Sequence, residues 1–214
     1  ALNNNDIHKF FLKPWENEYL LVQMMEAVQT HRTLVEKAHF EYLSITDPVT
    51  QLTNHRHFQD QLRRHIELCR SGGGSLALAI FDVDHFKSFN DRFGHPEGDR
   101  LLFNVASQLK ALASPNALVS RYGGEEFTLI LPLQSTGEAG LIEATAACER
   151  IRAHFERKPF SGLSSSPAYV TISAGLACFP AHGNDASELI DAADRALYQA
   201  KRQGRNQIST ASKK

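Results

Sequence analysis

Arg121-Tyr122-Gly123-Gly124-Glu125-Glu126-Phe127 joins two short apolar runs, 117–122 and 126–131, and its paired glycines are a turn signal between strands. The stretch therefore predicts a hairpin whose tip carries two adjacent carboxylates. A third acid stands in a comparable setting, because the run 76–82 is apolar until it delivers Asp82. Three carboxylates at a strand end and a neighbouring turn suit Mg²⁺, which takes carboxylate, water and substrate phosphate oxygens, and a bound cation would offset their mutual repulsion. The same residues equally suit a solvated hairpin and a turn-forming aspartate. Residue type alone leaves both readings open.

Outward from the hairpin, periodicity and breakers predict a helix over 54–70, a Ser71-Gly72-Gly73-Gly74 turn, a strand over 76–82, a loop over 83–96 and a helix over 97–112. After the hairpin come a helix over 137–156, a polar loop at Ser161 to Ser166, a strand over 169–178, a helix over 186–202 and a last strand over 206–209. This is the order of an α/β domain. It starts near Thr46-Asp47-Pro48, where proline ends the preceding helix and Asp47 is placed to cap the next.

Before that point, residues 16–46 contain no glycine and no proline short of the boundary, and apolar residues recur in heptads. Leu21, Val28, Val35 and Tyr42 hold one position and Met24, Ala38 and Ile45 the other, with His31 interrupting the second set. The pattern predicts a parallel coiled coil about 45 Å long at 1.5 Å per residue. Further upstream, Ile7 to Leu12 reads as a strand closed by Lys13-Pro14. Residues 1–15 resemble the C-terminal end of a response-regulator receiver domain, which implies an upstream phosphoacceptor and a cognate kinase.

Composition narrows the classes. The 214 residues carry 23 Lys and Arg against 24 Asp and Glu, a net charge of -1, so no overall field favours nucleic acid or an anionic membrane. Phosphate binding, if present, is local. Cys69, Cys148 and Cys178 follow no metal-ligand spacing and read as reduced core thiols of a cytoplasmic protein. The apolar runs fall short of the ~20 residues a bilayer requires.

Residues 121–127 resemble the signature of the GGDEF family in its GGEEF form. Phe81-Asp82-Val83-Asp84-His85-Phe86-Lys87, Asn90-Asp91, Gly94-His95 and Gly98-Asp99 match the family's other blocks in order. Asp47 to Arg56 is similar to its opening block and Tyr198 to Asn206 to its closing one, so residues 47–214 are expected to form the family's catalytic domain. The resemblance implies a palm-like α/β (α+β) fold with a central, mainly antiparallel sheet flanked by helices. It implies a diguanylate cyclase that condenses two GTP into cyclic di-GMP and two pyrophosphates, each 3′-hydroxyl attacking the partner's α-phosphate across a homodimer. Two Mg²⁺ per active site, or Mn²⁺ in their place, would be held by Asp82, the Val83 carbonyl, Glu125 and Glu126, with Glu125 also the base.

By the same resemblance, Asn90, His95 and Asp99 take guanine. Lys87, Lys201 and Arg205 take the triphosphate, helped by backbone N–H groups near His85 and Phe86, and Lys87 also steadies charge on the reacting phosphorus. Asn90 and Asp99 suit a turn and a helix N-terminal dipole as well, and Lys201 suits a helix C-terminus closed by Gly204. The chain departs from the family pattern at Gln51, where glycine is usual, and at His55, where arginine is usual. Ser114-Pro115-Asn116-Ala117 stands where many members carry the RxxD product-inhibition motif, leaving Arg150 as a candidate secondary contact. Two rival readings are an inert nucleotide-binding module, which would be expected to lose a metal ligand, and a cyclase of another dinucleotide, against which Asp99 argues.

Overall fold

The computed structural model describes residues 17–160 and 169–212. The strand-like run at 7–12, the receiver-like residues 1–15 and the polar loop 161–166 lie outside them. The elements run α1 (Asn17–Ile45), α2 (His55–Gly72), β1 (Ser75–Val83), α3 (Phe86–Phe93), α4 (His95–Leu112), β2 (Leu118–Gly123), β3 (Glu126–Leu133), α5 (Gly137–Arg157), β4 (Ile172–Phe179), α6 (Ala186–Arg202) and β5 (Ile208–Thr210). Two compact units divide the chain, one ending at Ser44 and the other starting at Ile45.

In the second unit, five strands form one sheet in the order β2-β3-β1-β4-β5. All neighbours are antiparallel except β4 and β5. The central strand β1 is buried along its whole length, and its period of two sends alternate side chains into two cores. Ala77, Ala79, Phe81 and Val83 join Phe86 and Phe89 of α3, Leu101, Val105 and Leu109 of α4, and Ile151 and Phe155 of α5. Leu76, Leu78 and Ile80 join Phe58, Leu62 and Ile66 of α2 and Leu189, Ala193 and Leu197 of α6. Helices thus cover both faces, as expected for the fold class. Gly175 is required on β4, because a Cβ there would stand 2.0 Å from the Ala193 carbonyl oxygen of α6.

Two local expectations are corrected. The segment 83–96 is not a loop throughout: it holds α3, and α4 begins at His95 rather than 97. Nor does Asp47 cap the next helix; Asn54 does, its side chain accepting from the His57 N–H. Asp47 instead accepts from the Thr50 N–H and Oγ1 at 2.8 and 2.7 Å and from Arg121 Nη1 at 3.0 Å. Gln51 keeps the left-handed turn that glycine would favour, at φ 61°. Of the three thiols, Cys148 and Cys178 are buried but Cys69 is only half-buried.

Arg121 and Asp47 are both mostly buried, and Arg121 also donates through Nη2 to the Gly124 carbonyl at 2.8 Å. Burial pushes the Asp47 carboxyl up, but hydrogen bonds from Thr50 and Arg121 outweigh it and hold the group below its ordinary 3.8. The resulting stability is present above 3.8 and is lost as pH falls through the lower folded value. Asp47→Ala is expected to cost about 2 kcal/mol in urea unfolding, as loss of charged hydrogen bonds does. The cost should shrink in acid; a cost that stays constant down to the acid limit would mean that the pair contributes nothing.

Candidate functional site

Antiparallel pairing of β1 with β3 sets Asp82 directly opposite Glu126, the first residue of β3. The Val83 N–H donates to the Glu125 carbonyl at 3.3 Å, which ties the end of β1 to the hairpin turn. Gly124 makes that turn at φ 52°. A register shift between Arg121 and Gly123 leaves Tyr122 at a bulge, a device that re-aims the chain at a strand end. The Tyr122 ring meets His55 and Phe58 edge-on at 4.8 and 5.6 Å, so the hairpin is braced by α2.

Lys201, near the end of α6, joins this group: its Nζ lies 2.6 Å from Asp82 Oδ2. Asp82 is only 6% exposed. Burial pushes its carboxyl upward; Lys201 draws it down, Glu125 and Asp84 push it up, and the net shift is upward. Glu126 is raised in the same way, by burial first and then by Asp82, Asp194 and Glu125 against the pull of Lys201. Asp194 of α6, which the sequence did not single out, is raised by burial and by Asp191. Crowded acids with one ammonium among them form a place where added positive charge is favourable.

Among the described residues, no three His, Cys, Asp or Glu side chains converge on one ready-made metal position. Magnesium does not need such a cage, since it is usually held by one or two carboxylates together with water and substrate phosphates. Asp82 and Glu126 facing each other, with Glu125 adjacent, fit that donor set.

The other predicted residues fall on α3, α4 and the segment after α6. His85 adopts φ 60° immediately before α3. The N–H groups following it therefore open a helix and lack intrahelical acceptors, a better phosphate cradle than a loop. Phe86 is buried in the core, so only its backbone is available, whereas Lys87 is exposed. Asn90, on α3, is half-buried, and its Oδ1 is buried with no hydrogen-bond partner. The amide lies against Gly98 of α4, where a Cβ would stand 1.9 Å from that oxygen. His95 and Asp99 are exposed and four residues apart on α4, one helical turn. Arg205 is exposed at φ 63°. Arg150 lies elsewhere, lining an open cleft of about 780 Å³ with Arg152, His154, Arg157 and Lys158 of α5 and the residues just after it.

Comparison with known proteins gives this arrangement a family. Residues 44–207 match the model of the diguanylate cyclase GGDEF domain. The diguanylate cyclase DgcP of Pseudomonas aeruginosa is 39% identical over 169 residues, 78% of this chain and 24% of that protein. The response regulator PleD of Caulobacter vibrioides is 36% identical over 167 residues, 78% of this chain and 36% of that protein. The chain thus spans about a quarter to a third of the length of these relatives. A crystal structure of the coiled coil and GGDEF domain of DgcB from Caulobacter crescentus, in complex with c-di-GMP, superposes with a TM-score of 0.76. Its sequence identity is 31%, and the match covers 91% of this chain and 98% of that one. On the family match, the relatives and the shared fold together, the chain belongs to the GGDEF family of diguanylate cyclase domains.

Proposed function

We propose that this protein is a diguanylate cyclase that joins two GTP molecules into cyclic di-GMP with release of two pyrophosphates. The observation that carries the reading is the pairing of Asp82 with Glu126 across β1 and β3, beside Glu125 and under Lys201. Asp82, the Val83 carbonyl, Glu125 and Glu126 would hold Mg²⁺, two ions per site, or Mn²⁺ in their place. When bound, such ions polarise the α-phosphate and offset charge on the attacking and leaving oxygens. Glu125 then accepts the proton of the 3′-hydroxyl. Lys87, Lys201 and Arg205, with the N–H groups that open α3, bind the triphosphate through charge-assisted hydrogen bonds. Lys87 also offsets charge that develops on the reacting phosphorus. Asp99 accepts from guanine N1–H and the N2 amino group, Asn90 presents its unpartnered amide oxygen, and His95 borders the same base. Incubation with GTP and Mg²⁺ followed by mass identification of the product tests the reading. A product other than cyclic di-GMP, or none under any dimerising condition, would sink it.

Each active site supplies one nucleotide, so the reaction needs two domains face to face, and α1 offers the means of pairing. Leu21, Met24, Val28, Val35 and Tyr42 are all exposed along this 29-residue helix. A second copy burying them as a coiled coil would raise the effective concentration of one domain beside the other. Glutamates introduced together at Leu21, Val28 and Val35 are expected to lower specific activity about tenfold at dilute enzyme, with recovery on concentration. Activity per subunit that stays flat across the dilution series would exclude this role. We assign residues 1–15 to the end of a receiver domain, 16–46 to the signalling helix and 47–214 to the cyclase, the output of a two-component regulator with a cognate kinase upstream. The basic cleft at Arg150 is assigned to weak product contact, because Ser114 and Ala117 lack the charged groups of RxxD. No described helix is long and apolar enough to cross a membrane, and a cytoplasmic place fits the substrate.

A further inference from the structure

The segment after α6 turns through three consecutive residues at positive φ: Gly204 at 118°, Arg205 at 63° and Asn206 at 47°. Two of these are not glycine, so the turn is costly for the chain and persists only where its surroundings hold it. Those surroundings are specific. The Asn206 N–H donates to Asp84 Oδ2 at 3.0 Å, and Asp84, 5% exposed, also accepts from Thr171 Oγ1 and Ser173 Oγ at 2.7 Å each. Asp84 follows Val83 at the end of β1, so this carboxylate fastens the turn to the strand that carries Asp82. On its other side, Asn206 Oδ1 accepts from Arg152 Nη1 at 2.7 Å, and its Nδ2 donates to Glu156 Oε1 at 2.9 Å, both on α5. Arg152 is itself held by Glu149 and Glu156. The Arg205 N–H closes the turn on the Ala200 carbonyl at 3.1 Å, next to Lys201.

We propose that Asn206, clamped between the Asp84 carboxylate and the Arg152 guanidinium, is a positioning residue that fixes the backbone of Arg205 so that its side chain meets the nucleotide's phosphates. The inference rests on the reading of Arg205 as a phosphate contact. A long guanidinium side chain on a loose turn would lose conformational freedom on binding; on a clamped turn its base is already fixed. Neither Asn206 nor Arg152 needs to touch the nucleotide.

The test is a mutant cycle read by calorimetric affinity for a non-hydrolysable GTP analogue in the presence of Mg²⁺. Asn206→Gly keeps the left-handed backbone available and removes only the side-chain clamp. It is expected to weaken binding about five- to tenfold, comparable to Arg205→Ala, with a melting temperature close to the parent's. The double variant is expected to bind no more weakly than Arg205→Ala alone, because the clamp acts only through that side chain. Arg152→Met, which removes the clamp from α5, is expected to give the same weakening and the same coupling should Asn206→Gly fold poorly. Additive losses in the double variant, or parent-like affinity in Asn206→Gly beside a weakened Arg205→Ala, would overturn the positioning role. Parent-like affinity in Arg205→Ala would instead remove the phosphate reading of that residue, and the proposal with it.

Discussion

Glu125→Gln and Asp82→Asn should each reduce cyclic di-GMP formation by about 10³-fold or more, equivalent to roughly 4 kcal/mol of transition-state stabilisation. Each change removes a charge from the set that would hold the metal, and Glu125→Gln also removes the group proposed to accept the 3′-hydroxyl proton. The fold should not suffer in proportion. Asp82 and Glu126 both have carboxyl pKa values raised by burial and by their acidic neighbours, so their ionised forms oppose folding at neutral pH. With a folded value above the unfolded one, the native state binds more protons between the two, and stability falls as pH rises through that window. Neutralising Asp82 removes that opposition and gives up one ion pair with Lys201. The melting temperature of the metal-free Asp82→Asn protein is therefore expected to equal or exceed the parent's, the trade of stability for function common at active sites. Parent-like turnover with ordinary Mg²⁺ dependence in either variant would show that the acids have another role. Inactivity together with collapse of the fold would show that they are structural.

β1, β2 and β3 are legible in the sequence because glycine breaks the chain before β1 and between β2 and β3 and because β1 ends on a charge, whereas β4 starts at Ile172 rather than 169 and β5 at Ile208 rather than 206, where Asn206 still turns at positive φ. The bounds of α6 are legible for similar reasons, with Asp185 at its start and Gly204 just beyond its end. The failures have physical causes. α3 reads as a loop because its eight residues carry only two buried anchors, Phe86 and Phe89, followed at once by the turn signals Asn90-Asp91 and Gly94, and its start is a left-handed His85. Asp47 reads as a helix cap because its carboxylate does serve a local N–H, that of Thr50, while its ion-pair partner Arg121 stands 74 positions away. The Lys201 pair with Asp82 and the Asn206 bond to Asp84 are invisible for the same reason: they arise from the sheet bringing α6 and the turn after it to the end of β1. Periodicity carries local structure; which distant charges meet is decided by topology.

Gly98→Ala is expected to weaken binding of a GTP analogue roughly 10- to 100-fold, because unpairing a buried polar group of the base costs about 1–3 kcal/mol. The cause is a single contact. The new Cβ would lie 1.9 Å from Asn90 Oδ1, 2.9 Å from its Cγ and 3.2 Å from Phe86 Cζ. Phe86 is packed in the core and has little room to yield, so the Asn90 side chain must move. Its Oδ1 is buried without a hydrogen-bond partner, an arrangement that costs stability unless a donor completes it. Moving the amide removes the oxygen from the place where guanine would meet it, while Asp82, Glu126 and Lys201 on the neighbouring strands and α6 are untouched. The loss should therefore fall on affinity and on discrimination against ATP, with Mn²⁺ binding preserved. A control isolates the mechanism: Asn90→Ala should weaken GTP binding to a similar extent, and Gly98→Ala added to it should cost nothing further, since the side chain that the methyl group would strike is gone. If the two losses instead multiply, Gly98 serves the packing of α3 on α4 rather than the aim of Asn90, and the assignment of that amide to guanine loses its structural support.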